Sequence, residues 1–192
     1  MELMRPEGRA TDGLVEFCQW LVKGFPLPEG QERHRLIEIG SYAGESADVF
    51  CEYFDVTCVD PWSSDPAYME GLSESHDIIK AEAAFDRRIG DRARKLKMSG
   101  EAAATLLADE LFSFVYIDAV HTYAGVKRDI EIWQPRVDLA VCGHDYDSIN
   151  HPGVREAIDE LFGRPDEVFD DKSWLHDLRP AKEIILAVPP GV

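Results

Sequence analysis

The 192-residue sequence has no uncharged apolar run long enough to cross a bilayer, so a membrane-embedded chain is not expected. It has no CxxC pair. Its four cysteines stand at 18, 51, 58 and 142, a spacing that fits a reduced, cytoplasmic setting. Met1–Ala10 is polar and charged where an export signal would need an apolar core. Positive charge is scarce: 20 Lys and Arg against 37 Asp and Glu leave a net charge of −17. That balance repels phosphate backbones and anionic membranes, which argues against nucleic-acid and membrane partners. The one basic stretch, Arg87 to Lys97, reads as a solvated helix end running into a strand. No repeat, linker or low-complexity segment interrupts the chain, so a single domain over 1–192 is expected.

What the sequence does contain is a pattern of strands that end in acids. Leu36-Ile37-Glu38-Ile39-Gly40-Ser41-Tyr42-Ala43-Gly44-Glu45-Ser46 is a short apolar run, a tight glycine turn and a helix start, the opening of a βαβ unit. A dinucleotide turn is the rival reading. Counted as Gly-x-Gly-x-x-Gly from Gly40, its second and third glycines would fall on Tyr42 and Glu45, which would block and repel a pyrophosphate. An acidic turn suits a ligand with a positive centre and no phosphate. The pattern Glu-x-Gly-x-x-x-Gly resembles the first motif of class I S-adenosylmethionine-dependent methyltransferases. That resemblance places the cofactor over Glu38, Gly40, Ser41, Tyr42, Gly44 and Ser46, with the glycines admitting it and Glu38 beneath its methionine part.

Along the chain, Leu14, Phe17, Cys18 and Leu21 predict an amphipathic helix over 11–23. Strands follow near Arg35–Gly40 and Val56–Asp60. Asp60, at the second strand's end, suits ribose hydroxyls, and it equally suits capping the turn before Pro61. Residues 61–75 are long for a strand–helix connection and read either as a lid, with Trp62, Tyr68 and Met69, or as a packed loop. A helix over about 76–89, a weak strand near Arg94–Met98 and a helix at Ala102–Ala108 come next, with Met98 and Ser99 where an adenine-binding loop would lie. A fourth strand, Leu111–Asp118, leads through His121 to a helix capped by Thr122. A fifth, Val137–Cys142, runs into His144 and Asp145. Pro152 opens a helix that ends at Gly163. Last strands are expected at about Glu167–Phe169 and Glu183–Val188, joined through Ser173-Trp174-Leu175.

The run Ile117-Asp118-Ala119-x-His121-x-Tyr123-x-x-Val126-x-x-Asp129-Ile130-x-x-Trp133-x-Pro135, followed by Gly143-His144-Asp145-Tyr146 and His151-Pro152-Gly153-Val154, resembles the methyltransferase-24 type of class I enzymes. These are related to sugar O-methyltransferases of macrolide pathways, some of them magnesium-dependent. The resemblance covers about Leu36–Phe162. It implies a Rossmann-like, mostly parallel seven-stranded α/β sheet with helices on both faces. Asp118 would join the cofactor site. One departure is visible: Arg136-Val137-Asp138-Leu139 replaces the family's usual Gly-Gly turn, so that turn is expected to be rebuilt.

Asp118, His144 and Asp145 lie at the ends of neighbouring strands and could hold Mg2+ or Mn2+, the histidine shifting preference toward manganese. His121, with Asp118, is the candidate catalytic pair, the imidazole serving as general base. Against both stands a reading of His121 and His144 as core histidines and Asp145 as a helix cap. The expected activity is O-methylation of a small-molecule or sugar hydroxyl. A nucleotide- or NAD-binding oxidoreductase, or a silent scaffold retaining the fold, are the alternatives. The acceptor is open, as is the choice between monomer and homo-oligomer.

Overall fold

The computed structural model describes residues 9–65 and 78–179. Seven strands form one sheet: β1 (Arg35–Ile39), β2 (Asp55–Asp60), β3 (Arg94–Lys97), β4 (Phe112–Ile117), β5 (Val137–Gly143), β6 (Glu167–Val168) and β7 (Trp174–Asp177), in the order β3-β2-β1-β4-β5-β7-β6. The first five pair in parallel, while β7 runs antiparallel to both β5 and β6. Parallel strands covered on both faces need apolar side chains on both, and the central strands supply them. Leu36, Cys58, Phe114 and Tyr116 face α1 (Arg9–Gly24), α2 (Glu45–Tyr53) and α3 (Ile78–Ile89). Ile37, Ile39, Val115, Ile117 and Val141 face α4 (Gly100–Leu106), α5 (Tyr123–Trp133) and α6 (Pro152–Phe162).

The caps fall where the sequence puts them. Thr122 Oγ1 accepts from the Gly125 amide at 3.2 Å, Pro152 is the first residue of α6, and Gly163 follows its end. The basic stretch is neutralised by the chain itself: Arg92 pairs with Asp48, Arg94 with Glu110 at 2.8 Å, Lys95 with Glu82 and Asp86 at 3.0 and 2.6 Å, and Lys97 with Glu82 at 2.7 Å. β3 alternates charge because it is the sheet's edge, half-exposed on both faces. Where the Gly-Gly turn was expected, the chain takes its own path. A 3-10 turn at Gln134–Arg136 feeds β5 directly, and the pairing slips between Phe112↔Val137 and Phe114↔Ala140, so the extra residue is taken up as a bulge.

One expectation needs correcting. Trp174 and Leu175 do not belong to a connector; they are the buried first half of β7. Lys172, at φ 73, turns the chain from β6 into β7, and Asp171 holds the turn through the Ser173 amide at 2.9 Å. The expected strand at Glu183–Val188 lies outside the described residues. So does the 66–75 part of the lid segment, with Tyr68 and Met69. Trp62 is buried against Phe85, with ring centroids 4.9 Å apart, and under the Lys95 ammonium, which makes it a packing residue.

Candidate active site

The carboxyl ends of β1 to β5 open on one crevice, where ligands of open α/β sheets bind. A cleft of about 340 Å³ runs along it. Its walls come from the turn after β1 (Gly40 to Ser46), from Asp60 to Ser63 after β2, from Ser99 to Glu101 after β3, and from Asp118 to His121 after β4. Arg128 and Asp129 of α5 close the remaining side.

The backbone around this cleft is held in unusual conformations. Among the described residues, four non-glycines have positive φ, and three of them are Tyr42, Trp62 and Asp145, all on strand-end turns here. Asp60 ties two of these turns together. Its Oδ2 accepts from the Tyr42 amide at 3.0 Å and its Oδ1 from the Trp62 amide at 2.7 Å, while Trp62 Nε1 donates to the Tyr42 carbonyl at 2.7 Å. Asp60 therefore does cap its turn, and each carboxylate oxygen keeps a lone pair for a ligand.

Glu38 is fully buried beneath the glycine turn and does not line the cleft. Burial pushes its carboxyl up to about 7, against the opposing pull of nearby hydroxyls. Ser46 donates to Glu38 Oε1, and the Ser41 hydroxyl and Cys58 thiol stand beside the same carboxyl.

At the other end, β4 and β5 bring the predicted acid and imidazole groups together. His121 Nε2 stands 3.2 Å from Asp118 Oδ1 and 3.2 Å from Asp145 Oδ2, bridging the two carboxylates. His144 Nδ1 lies 3.5 Å from Asp145 Oδ2. Burial alone would lower the His121 ring, but the two carboxylates outweigh it and lift the ring to about 10, so it carries its proton at neutral pH. His144, half-buried and beside Asp145, is held up to about 9 for the same reason. Burial works against the Asp145 charge, yet both imidazoles overcome it and hold the carboxyl well below the usual range. His121 Nδ1 has no hydrogen-bond partner among the described residues.

The sequence did not mark His151 as a site residue. It stacks on His121, with centroids 4.2 Å apart and planes at 30°. Gly153 permits this, because a side chain there would press on the His121 carbonyl at 3.1 Å and on the Tyr123 amide. The donor atoms of Asp118, His144 and Asp145 fall within 4.8 Å of one another, as do those of His121, Asp145 and His151. The second set is the poorer cage. Rings stacked face to face cannot both aim a nitrogen lone pair at one ion.

Comparison with known proteins bears directly on this arrangement. A family profile described as a methyltransferase domain, of the methyltransferase-24 type, matches residues 37–146, more than half of the chain. The chain belongs to that family. It is a class I S-adenosylmethionine-dependent methyltransferase. No curated protein matches the sequence. Among solved structures, the O-methyltransferase NovP superimposes with a TM-score of 0.59 at 15% identity, over 87% of this chain and 78% of NovP. Cofactor-bound Rv0187 from MTB gives 0.58 at 15%, over 90% and 80%. An O-methyltransferase from Bacillus cereus in complex with SAH gives 0.51 at 12%, over 91% of each chain. At such identities the likeness is one of fold.

In this methyltransferase the cleft gathers Gly40, Ser41, Tyr42, Ser46, Asp60, Ser99, Asp118 and His121 of the predicted set. It leaves out Gly44, Glu38, Met98, His144 and Asp145. Gly44 turns α2 inward at φ 76 against Phe85 and Ile89. Met98 packs on the core under α4. The residues that sequence reading missed, Arg128 and Asp129, look from spacing alone like the solvated face of α5.

Proposed function

We propose that this methyltransferase methylates a hydroxyl oxygen of a small molecule or sugar, with His121 as the general base. The observation that carries this reading is the placement of His121 on the cleft wall. Two carboxylates fix its Nε2–H, and its Nδ1 is the nitrogen left to take a proton. Fixing one ring nitrogen by a carboxylate sets the tautomer and makes the other nitrogen more basic. His121 acts from the fraction of molecules whose ring has lost its proton. Asp118 and Asp145 orient it, and the His151 ring restrains its tilt. S-adenosylmethionine supplies a methyl group on a positive sulfonium. The residues around it need only position the acceptor in line and remove its proton. Asp60 would take the ribose hydroxyls on its remaining lone pairs, the Gly40–Gly44 turn would admit the methionine part over Glu38, and Met98 and Ser99 would lie toward the adenine. NovP and the Bacillus cereus protein, which share the fold, are O-methyltransferases by name, in keeping with an oxygen acceptor.

Asp118, His144 and Asp145 offer two carboxylate oxygens and one imidazole, a donor set that suits Mn2+ or Mg2+. When bound, such an ion would lower the pKa of an acceptor hydroxyl. The fit is qualified by His121, which already pairs with both carboxylates. Transfer of labelled methyl to a panel of hydroxyl, amine and thiol acceptors tests the reading, run after exhaustive chelation and again with single metals restored. Label on hydroxyls alone, falling at least tenfold on chelation and returning with manganese or magnesium, is the expected pattern. Label on nitrogen alone would overturn the oxygen assignment, and full activity in the chelated enzyme would remove the metal.

A further inference from the structure

The carboxylates hold His121 at one atom only. Asp118 and Asp145 both engage Nε2, each at 3.2 Å. In a histidine Nε2 lies close to the Cβ–Cγ axis about which the ring turns, and that torsion is intrinsically broad. Bonds at Nε2 therefore leave the ring able to swing about the axis. Nδ1, which stands further off the axis, would sweep a wider arc. A base whose lone pair swings in and out of the cleft is aligned with the acceptor for only part of the time.

What lies against the face of the ring is the start of α6. His151, the residue before Pro152, lays its ring on His121 with centroids 4.2 Å apart and planes at 30°. No hydrogen bond or ion pair engages the His151 side chain among the described residues, and as N-cap of α6 it makes no side-chain cap bond. Its backbone is held on both sides. The His151 N–H donates to the Ser148 carbonyl at 3.1 Å, and its carbonyl accepts from the Val154 N–H at 3.1 Å. Gly153 lets this turn come close, since a Cβ there would lie 2.4 Å from the Tyr123 nitrogen and 3.1 Å from the His121 carbonyl oxygen. Burial and the His121 charge lower the pKa of the His151 ring, so an uncharged face lies on a cationic ring, an attractive arrangement.

We propose that His151 is a positioning residue for the base: its ring, carried on the first turn of α6, blocks rotation of the His121 ring and keeps Nδ1 turned toward the acceptor. The proposal rests on the reading of His121 as general base. It assigns the work to the face of the His151 ring and none to its nitrogens, so a phenyl ring should replace it.

Two readouts on the wild type, His151→Ala and His151→Phe test it. NMR of the histidine rings needs no acceptor. Wild-type His121 should show cross-relaxation to the His151 ring and one sharp set of ring signals, which broaden or split in His151→Ala and sharpen again in His151→Phe. Kinetics use the hydroxyl acceptor labelled best in the panel above, with rates expressed per folded enzyme from the urea midpoint. Alanine removes no cap bond and keeps the Pro152 start of α6, so it should fold. Its kcat should fall by about 10–100-fold, as misplacing a reacting group does, while KM and S-adenosylhomocysteine affinity stay within about twofold. His151→Phe should recover most of the kcat. A wild-type kcat in His151→Ala, beside an impaired His121→Ala, overturns the positioning role and leaves the base in place. Equal losses in the alanine and phenylalanine variants overturn it as well, since the nitrogens would then be doing the work. Full kcat in His121→Ala, or a panel in which no hydroxyl is labelled, overturns the base reading and this inference with it.

Discussion

Replacing His121 with alanine should lower kcat for methyl transfer by about 10²–10⁴, the usual contribution of a positioned general base. Cofactor affinity should stay nearly unchanged, because His121 faces Asp118 and Asp145 at the β4–β5 end, away from the positions proposed for the ribose and base. The variant also removes the cation that bridges two carboxylates, so some stability should be lost as well. Three measurements separate the effects: kcat at saturating cofactor, S-adenosylhomocysteine affinity by calorimetry, and the urea midpoint. A fall in kcat far beyond the fall in folded fraction supports the base. Activity that declines only in step with folding would make His121 a core histidine satisfied by its neighbours.

Gly40→Ala should cost roughly 2–5 kcal/mol of stability, combining overpacking with a left-handed backbone. Gly40 has φ 94, and an added Cβ would lie 2.7 Å from Ala119 Cα and closer still to the Asp118 carbonyl. Those atoms belong to the end of β4, where Asp118 N donates to Ile39 O at 2.9 Å, so relief would require parting β1 from β4. For a domain whose whole stability is about 5–15 kcal/mol, this is a large fraction. Gly163→Ala is the control. Its φ is 80 but nothing lies within 4 Å, so it should lose only the backbone part, about 1–2 kcal/mol. Equal urea midpoints for the two variants would contradict a close β1–β4 contact at Gly40.

Much of this was legible before any coordinates, where a local rule governs. Leu36 to Ile39 reads as a buried strand because both faces are apolar, and Thr122, Pro152 and Gly163 mark helix ends through their own chemistry. Gly40 and Asp60 could be expected at the cleft because strand ends of a parallel sheet share one crevice, whereas Glu38 lies buried beneath it. Non-local features were not legible. β7 hides in Ser173-Trp174-Leu175-His176-Asp177, since its pairing with β5 brings together segments far apart in sequence and its polar flanks look like loop. The bridging of Asp118 and Asp145 by His121 depends on how β4 and β5 lie side by side. Asp129 reads in the sequence only as part of a motif on α5, because an acid on an amphipathic helix is usually solvated. Only the packing of α4 against α5 shows that it faces a cleft.

The central claim is that the crevice over Gly40–Gly44 holds an S-adenosyl ligand and no dinucleotide. A thermal-shift comparison of S-adenosylhomocysteine with NAD tests it most directly, each ligand in large excess. The account predicts stabilisation by S-adenosylhomocysteine, roughly 2.7 kcal/mol at ~100 times its dissociation constant, and no shift with NAD. A shift with NAD and none with S-adenosylhomocysteine would contradict it.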